Sequence, residues 1–347
     1  MSEAFLVGNN GIRFKRLTVP VPPAKTRYIV INDDETLIDM SGAKITAEIG
    51  KTLVTLTPDN YSYSPVEAAP GVDKIIVSSR ISGTTRTVDI PIDVVEPDPI
   101  LDNNSWEVIS YVSARGFASR LWSVGDVKTE TINGVLHSFR IIGFDHDDLN
   151  ESDPWAARAD YNQQAYDAVT GKRYAGITFQ SVEAMGTSVM NTGATTKGGW
   201  EECRMRTEKM PETYDSFPSD MQDVIRTVNK RTIKGGKLEY YDEVVVTSAD
   251  KVFLPSVAEV TKNASYLDLI STPERNATSI YEAYDDNGVA DILSKSETGE
   301  WLRSPHNMKI CSQANHFVFI SGNGIIDSGE PNSSSYNVYE FFPCFCV

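Results

Sequence analysis

The sequence predicts two folded parts, an all-β sandwich near the N-terminus and a larger α+β domain with long loops behind it. Three observations predict this division. β-branched runs separated by turn residues crowd the first hundred residues. A stiff acidic stretch, Glu96–Asn104 (EPDPILDNN), follows them. All five tryptophans, Trp106, Trp122, Trp155, Trp200 and Trp301, lie beyond it. A chain of 347 residues allows two or three domains at roughly 100–200 residues each, and each can bury a core without staples.

Residues 1–20 read as an extended arm, because the prolines of Leu17–Pro23 (LTVPVPP) block a helix and bias their predecessors to extended backbone. Within residues 21–96, the runs Tyr28–Asn32, Lys44–Ile49, Thr52–Thr57, Lys74–Ser79 and Arg86–Val95 read as strands, divided by Asn, Asp, Gly and Pro clusters. Arg86–Val95 (RTVDIPIDVV) alternates over part of its length, as a half-buried strand does. About seventy residues of this kind predict a small immunoglobulin-like sandwich, of a bacterial or viral variety because no Cys…Trp…Cys core is present. Residues 97–104 read as the linker and 105–347 as the second domain. There, Trp106, Ile109 and Val112 place a helix over Ser105–Arg115 with Asn104 as its cap. Met221, Val224, Ile225 and Val228 place another over Ser219–Val228. The predicted strands are His137–Phe144, Val244–Thr247, Lys251–Leu254, Phe317–Ser321 and Phe341–Val347. The gaps between them are rich in Gly, Ser, Asn and Thr, a pattern of functional loops.

The formal charge is −16 and the isoelectric point near 4.7. That balance argues against a nucleic-acid partner, whose affinity comes largely from Lys and Arg neutralising phosphates. It also predicts repulsion from anionic membranes and wall polymers unless metal ions mediate. No stretch approaches the ~20 apolar residues of a membrane span, and the N-terminus does not resemble a signal peptide, so the product is expected to be made and kept in the cytoplasm until assembly or release. Cys203, Cys311, Cys344 and Cys346 are too few for a disulfide scaffold and lack zinc spacing, which predicts buried free thiols.

Several constellations carry possible chemistry. Asp145-His146-Asp147-Asp148, with Glu151 and Asp153, is dense enough in oxygen to suggest calcium at Asp145, Asp147 and Asp148. It lacks the glycine and terminal glutamate of a calcium loop and reads better as a solvated acidic turn. Calcium is the only cofactor suggested. Asp285-Asp286-Asn287-Gly288 reads as a turn. Trp301-Leu-Arg-Ser-Pro305 offers a stacking platform and an arginine for a sugar. A buried tryptophan beside an arginine that pairs with a buried carboxylate is the preferred reading. His137, His146, His306 and His316 are scattered, and no nucleophile elbow or phosphate loop occurs, so no catalytic residue is assigned. Ser321–Asn337 (SGNGIIDSGEPNSSSYN) has the Asn, Ser, Gly and Tyr content of an adaptable binding surface. Its candidate ligand-binding residues are Asn323, Asp327, Glu330, Asn332, Ser333, Ser334, Ser335, Tyr336 and Asn337.

A series of short strings in the second domain resembles a domain-of-unknown-function family found at the C-terminal end of structural and tail proteins of phages and prophages of Firmicutes. They are Asn104–Ser113, Trp122-Ser-Val-Gly-Asp126, Ile142-Gly-Phe-Asp-His146, Gly199-Trp200, Met205-Arg206-Thr207, Phe217–Ile225 with Val228 and Lys230, Ser248–Leu254, Glu259-Val260, Trp301–Pro305 and Phe345-Cys-Val347. They keep their order over roughly 103–347. The resemblance implies a virion protein with a domain similar to C-type lectins or sulfatase-modifying factors. It departs from the family at Asn337-Val338, where Tyr339-Glu340-Phe341-Phe342-Pro343 follows, and in the acidic insert Ala264–Lys295. The expectation is a tail-fibre or appendage subunit without enzymatic activity that binds a host-surface glycan. The alternatives are a capsid or tail decoration protein and, third, a hydrolase of envelope glycans. Other phage structural proteins are the expected partners, in a trimer or hexamer by analogy with closed appendages.

Overall fold

The computed structural model describes residues 13–31, 36–236, 242–284, 298–307, 316–329 and 338–347. The chain divides into two compact units, Met1–Pro97 and Asp98–Val347, both dominated by strands.

The first unit is built from β1 (Phe14–Val21), β2 (Arg27–Ile29), β3 (Thr36–Leu37), β4 (Lys44–Ile49), β5 (Thr52–Leu56), β6 (Ser62–Ser64), β7 (Glu67–Ala68), β8 (Lys74–Ile81), β9 (Thr84–Pro91) and β10 (Asp93–Val95). Two three-stranded antiparallel sheets, β1-β4-β5 and β6-β8-β9, carry most of the pairing; β3 pairs with β7, and β10 runs parallel to β2. Strand β8 shows the alternation that makes a sheet face: Ile75, Val77, Ser79 and Ile81 are buried, and every other residue is more open. Ile75, Val77 and Ile81 meet Phe14, Tyr28, Ile45, Ala47 and Ile90 in one core.

The expected arm over 1–20 is corrected over residues 13–20; residues 1–12 lie outside the described residues. Phe14 and Leu17 are core residues, and β1 pairs with β4 from Phe14↔Ile49 to Val21↔Lys44. The prolines do keep the segment extended, but as a sheet edge, where a missing N–H costs no ladder bond. The Arg86–Val95 run is two strands, because the chain leaves β8 after Pro91 and turns to pair with β2.

The second unit begins at Asp98, which also corrects the linker of 97–104. Leu101 is buried. The Asn104 amide donates to the carbonyls of Asp98, Ile100 and Leu101, and Trp122 Nε1 donates to Asp98 O at 3.1 Å. Asn104 is therefore spent on this turn and does not cap the helix. Ser105 does, its side chain accepting from Val108 N at 3.3 Å. Replacing Ser105 with Ala is expected to cost about 1 kcal/mol. Because all five tryptophans lie in this unit, the urea midpoint followed by tryptophan fluorescence measures that loss.

Its strands are β11 (Val127–Ile132), β12 (Val135–Phe144), β13 (Ile177–Ser181), β14 (Thr187–Ser188), β15 (Val228–Gly235), β16 (Asp242–Asp250), β17 (Val252–Phe253), β18 (Glu300–Pro305), β19 (Phe317–Ile320), β20 (Ile326–Gly329), β21 (Tyr339–Glu340) and β22 (Cys344–Cys346). They form the sheets β11-β12-β13-β22-β17 and β14-β21-β18-β19-β20, with β15-β16 a separate hairpin. The helices are short: α1 (Trp106–Ala114), α2 (Ala118–Leu121), α3 (Gly199–Glu202), α4 (Met210–Ser216), α5 (Ser219–Val224), α6 (Val257–Val260), α7 (Ala264–Leu267) and α8 (Thr272–Arg275). Helix α5 stops before the predicted Val228 because Ile225 is extended and Arg226 N donates to Cys346 O at 2.8 Å. Val228 then opens a strand. Of the predicted Phe341–Val347 strand only Cys344–Cys346 is strand, as β22; Phe341–Pro343 connects it to β21, which lies before the predicted range.

Strand β22 sits inside the first sheet, between β13 and β17. The rings of Trp106, Phe139, Phe179 and Phe217 lie 5.3 to 5.8 Å from that of Phe345. Aromatic pairs at these spacings add to the area they bury. Cys344 and Cys346 are buried beside it, and with Cys203 they are free thiols; Cys311 lies outside the described residues.

Candidate functional site

After β12 the chain reverses at Asp145, whose φ of 50° an aspartate tolerates better than most residues. Residues 147–150 then run extended between two neighbours. Ala175 N donates to Asp147 O, and Leu149 N to Arg173 O; on the other side Asn229 N donates to Asp148 O and Asn150 N to Thr227 O. Successive residues of an extended segment face opposite ways, so the two aspartates take different partners. Asp147 meets Lys230 in the interior and Asp148 meets Arg231 nearer the surface.

The interior pair belongs to a buried network of two cations and two anions. Lys230 Nζ lies 2.5 Å from Asp147 Oδ1 and 3.0 Å from Glu259 Oε1. Arg303 grips both oxygens of Glu259, at 2.5 and 2.6 Å, and donates to Leu254 O at 2.8 Å. Asp147 Oδ2 accepts from Thr178 Oγ1 at 2.8 Å, Tyr281 OH at 2.9 Å and Cys346 Sγ at 3.4 Å. All four charged side chains are at most 3% exposed. Burial alone would push the carboxyls up and the ammonium down, but opposite charges at contact distance win. Lys230 and His146 hold Asp147 well below the usual range, Arg303 and Lys230 bring Glu259 to about 2, and Asp147 and Glu259 raise Lys230. The network is therefore ionised and balanced.

Above it lies a cleft of about 220 Å³. His146, Asp148, Lys172, Tyr174, Asn229 and Arg231 form much of its wall. Arg231 binds Asp148 with both terminal nitrogens at 2.7 Å, and Asn229 Nδ2 adds a third contact at 3.0 Å. Against the cost of burial, these contacts keep Asp148 below its ordinary pKa. His146 Nε2 lies 2.9 Å from Ser279 O, and its ring lies 3.9 Å from that of Tyr281. An adjoining hollow of about 510 Å³ shares Asp148, Lys172, Asn229 and Arg231. Such walls present fixed donors and acceptors to a polar ligand.

The suggested calcium ligands do not converge. Asp147 and Asp148 are taken by lysine and arginine, and Asp145 Oδ1 accepts from Asn162 at 2.7 Å. Among the described residues no group of three or more His, Cys, Asp or Glu side chains could hold a metal ion. Nor is the acidic turn solvated throughout: Asp147 and Asp148 are buried. Trp301 is in the core, donating through Nε1 to Ser188 O at 2.8 Å. Of the loop candidates, Asn323 is exposed in the turn after β19 and Asp327 is exposed on β20; neither lines the cleft. Glu330, Asn332, Ser333, Ser334, Ser335, Tyr336 and Asn337 lie outside the described residues, as does the 285–288 turn.

A second polar anchor lies at α3. Asp250 accepts from Trp200 Nε1 at 2.9 Å, Ser248 Oγ at 2.6 Å and Arg206 Nε at 2.6 Å. Gly199 precedes this tryptophan at φ +59°, and a Cβ there would lie 2.0 Å from Ile233 O, so no other residue fits.

No helix among the described residues is long and apolar enough to cross a membrane. No curated protein matches the chain. Residues 177–347, just under half of the chain, match the profile of a domain of unknown function, DUF6273; the compact unit that carries the cleft starts well before the match, at Asp98.

Proposed function

We propose that this chain is a structural protein of a bacteriophage particle, a tail-fibre or appendage subunit that attaches to host-surface glycan by binding and not by turnover. In this reading residues 98–347 form a C-type-lectin-like domain and the first unit is an immunoglobulin-like sandwich that docks on the particle. The cleft over Asp147 and Lys230 carries the reading. A sugar is recognised by many directional hydrogen bonds, and binding is strongest when the protein groups are ordered beforehand. Asp148, Asn229 and Arg231 are held by one another before any ligand arrives, and Tyr174 adds an aromatic wall. The order of the strings that resemble phage tail proteins supports the virion setting.

A glycan array probed with the full chain tests the proposal. Binding to a subset of glycans is expected, weakened about tenfold or more, equivalent to 1.4 kcal/mol or more, by Tyr174→Ala and by Asn229→Ala. Failure of the folded chain to bind any glycan, or equal binding by both variants, rejects the cleft as a sugar site.

A further inference from the structure

We infer that Lys230 and Asp147 condense to an intramolecular isopeptide bond, a covalent cross-link between β15 and the segment that follows β12. The inference rests on the groups arranged around the amine and the carboxyl. The nucleophile, Lys230 Nζ, is in contact with Asp147 Oδ1 at 2.5 Å, and neither side chain is more than 3% exposed. Tyr281 OH and Thr178 Oγ1 both donate to the other oxygen, Oδ2, at 2.9 and 2.8 Å. They stand where charge gathers when an amine attacks a carboxyl carbon, as the donors of an oxyanion hole do. Glu259 Oε1 is 3.0 Å from the amine. His146 Nδ1 is 3.4 Å from Oδ1 and is buried without a hydrogen-bond partner. A pair that serves only as an ion pair does not need the two hydroxyls on one oxygen and an unbonded imidazole nitrogen beside the other.

The step balances without a co-reactant. The resting pair is ionised, and reaction starts when the ammonium passes one proton to Oδ1 along their hydrogen bond, which leaves a neutral amine and a carboxylic acid; this state lies above the ion pair, a cost that the contact of the two groups offsets. Nitrogen attacks Cγ, the C–N bond forms, and the C=O electron pair moves onto Oδ2, facing Tyr281 and Thr178. The nitrogen of this adduct is a far stronger acid than a free ammonium, so Glu259, ionised under the grip of Arg303, takes one of its protons. His146 gives a proton to Oδ1, the C–Oδ1 bond breaks, and Oδ1 leaves as water. His146 and Glu259 both line the cleft, through which they restore their protons and the water departs. Of the three ammonium protons, one stays on the amide and the equivalent of two leaves in the water. Holding the reactants in contact supplies the proximity that makes such a condensation fast within a folded protein. Burial works against charge on His146, yet the neighbouring Asp147 and Glu259 carboxylates raise its pKa, which favours the proton it must give.

The bond would close a loop between residues 83 positions apart and so restrict the unfolded chain as a disulfide does, without sensitivity to reductant. Intact-mass spectrometry of the denatured full chain tests it. The expected mass is one water below that of the sequence, and the digest should contain a branched peptide joining Lys230 to Asp147. Lys230→Met should restore the full mass. If that variant fails to fold, the mass and digest of the unaltered chain decide alone. A chain at full mass after prolonged incubation at neutral pH overturns the inference, and so does a water loss that maps to any other residue. Neither outcome depends on glycan binding.

Discussion

Replacing Arg303 with Ala is expected to destabilise the second unit by about 3–5 kcal/mol, the range for removing one partner of a buried charge pair. The size follows from what stays behind. Glu259 loses both of its close guanidinium contacts, and the Leu254 carbonyl loses a donor. Before the Lys230–Asp147 bond forms, one ammonium then faces two buried carboxylates; once it has formed, Glu259 is left with no opposite charge, and in both cases the space of a fully buried arginine side chain is left empty. Arg303→Lys should recover little, since an ammonium cannot hold both oxygens of a carboxylate in one plane. Removing charge from both partners, as Arg303→Met with Glu259→Met, should recover part of the loss, because it is the orphaned charge that costs most. The shift in urea midpoint of tryptophan fluorescence measures all three. A single-variant loss below about 1 kcal/mol would falsify the view that this pair organises the interior. Glu259 also sets a pH limit. Its folded pKa, about 2, lies below the ordinary 4.5, so its contribution is present above about pH 4.5 and fades as pH falls through about 2.

Arg303 also illustrates what the sequence reveals. An arginine two residues from a tryptophan in Trp301–Pro305 reads as buried and carboxylate-bound, and it is. Several of the strings behind the phage resemblance contain anchors of the polar interior: Trp200, Arg206, Lys230, Ser248, Asp250, Glu259 and Arg303. Buried polar groups need particular partners at particular distances, so they leave firmer local patterns than exchangeable apolar residues. The individual strands of the first unit were readable because alternation over six to eight residues is a local signal, as in β8. The cleft was not readable. Its wall draws on residues near 146, 172, 229 and 278, and nothing local in Lys172 or Tyr174 tells that the chain brings them to Asp148. One sign was present: Lys230 stands in register with Val228 and Thr232 on one face of β15, all of them buried. A charge on the apolar face of a strand announces a buried partner without naming it. The acidic run at 145–148 misled for the same reason, since density of carboxylates does not say which of them meets a lysine.

Glu300→Gln is expected to stabilise the second unit at alkaline pH and to change it little in acid. Glu300 opens β18 and is fully buried. Gln180 Nε2 donates to its Oε1 at 3.3 Å. The Gln180 carbonyl in turn accepts from Tyr284 OH at 2.6 Å and Arg140 Nη2 at 2.7 Å. Burial is the largest influence on Glu300; Arg140 opposes it and Glu340 adds to it, and the pKa rises from 4.5 to about 8. Between these values the folded chain holds a proton that the unfolded chain has lost, so stability falls as pH rises. The fall starts near pH 4.5 and is complete once the pH has passed about 8. Glutamine keeps the shape and cannot ionise. The stability of the variant relative to the parent should therefore be near constant below pH 4.5, climb through neutrality, and level off above pH 8 at a gain on the order of 5 kcal/mol. Glu274, raised to about 7 by burial, tilts both proteins alike and cancels in the difference. Urea midpoints across that pH range decide the matter. A difference that does not change with pH means that Glu300 is ionised in the folded chain. The Arg140 guanidinium would then have to act as its counter-charge, and the Gln180–Tyr284 arrangement would be holding an anion in place of an acid.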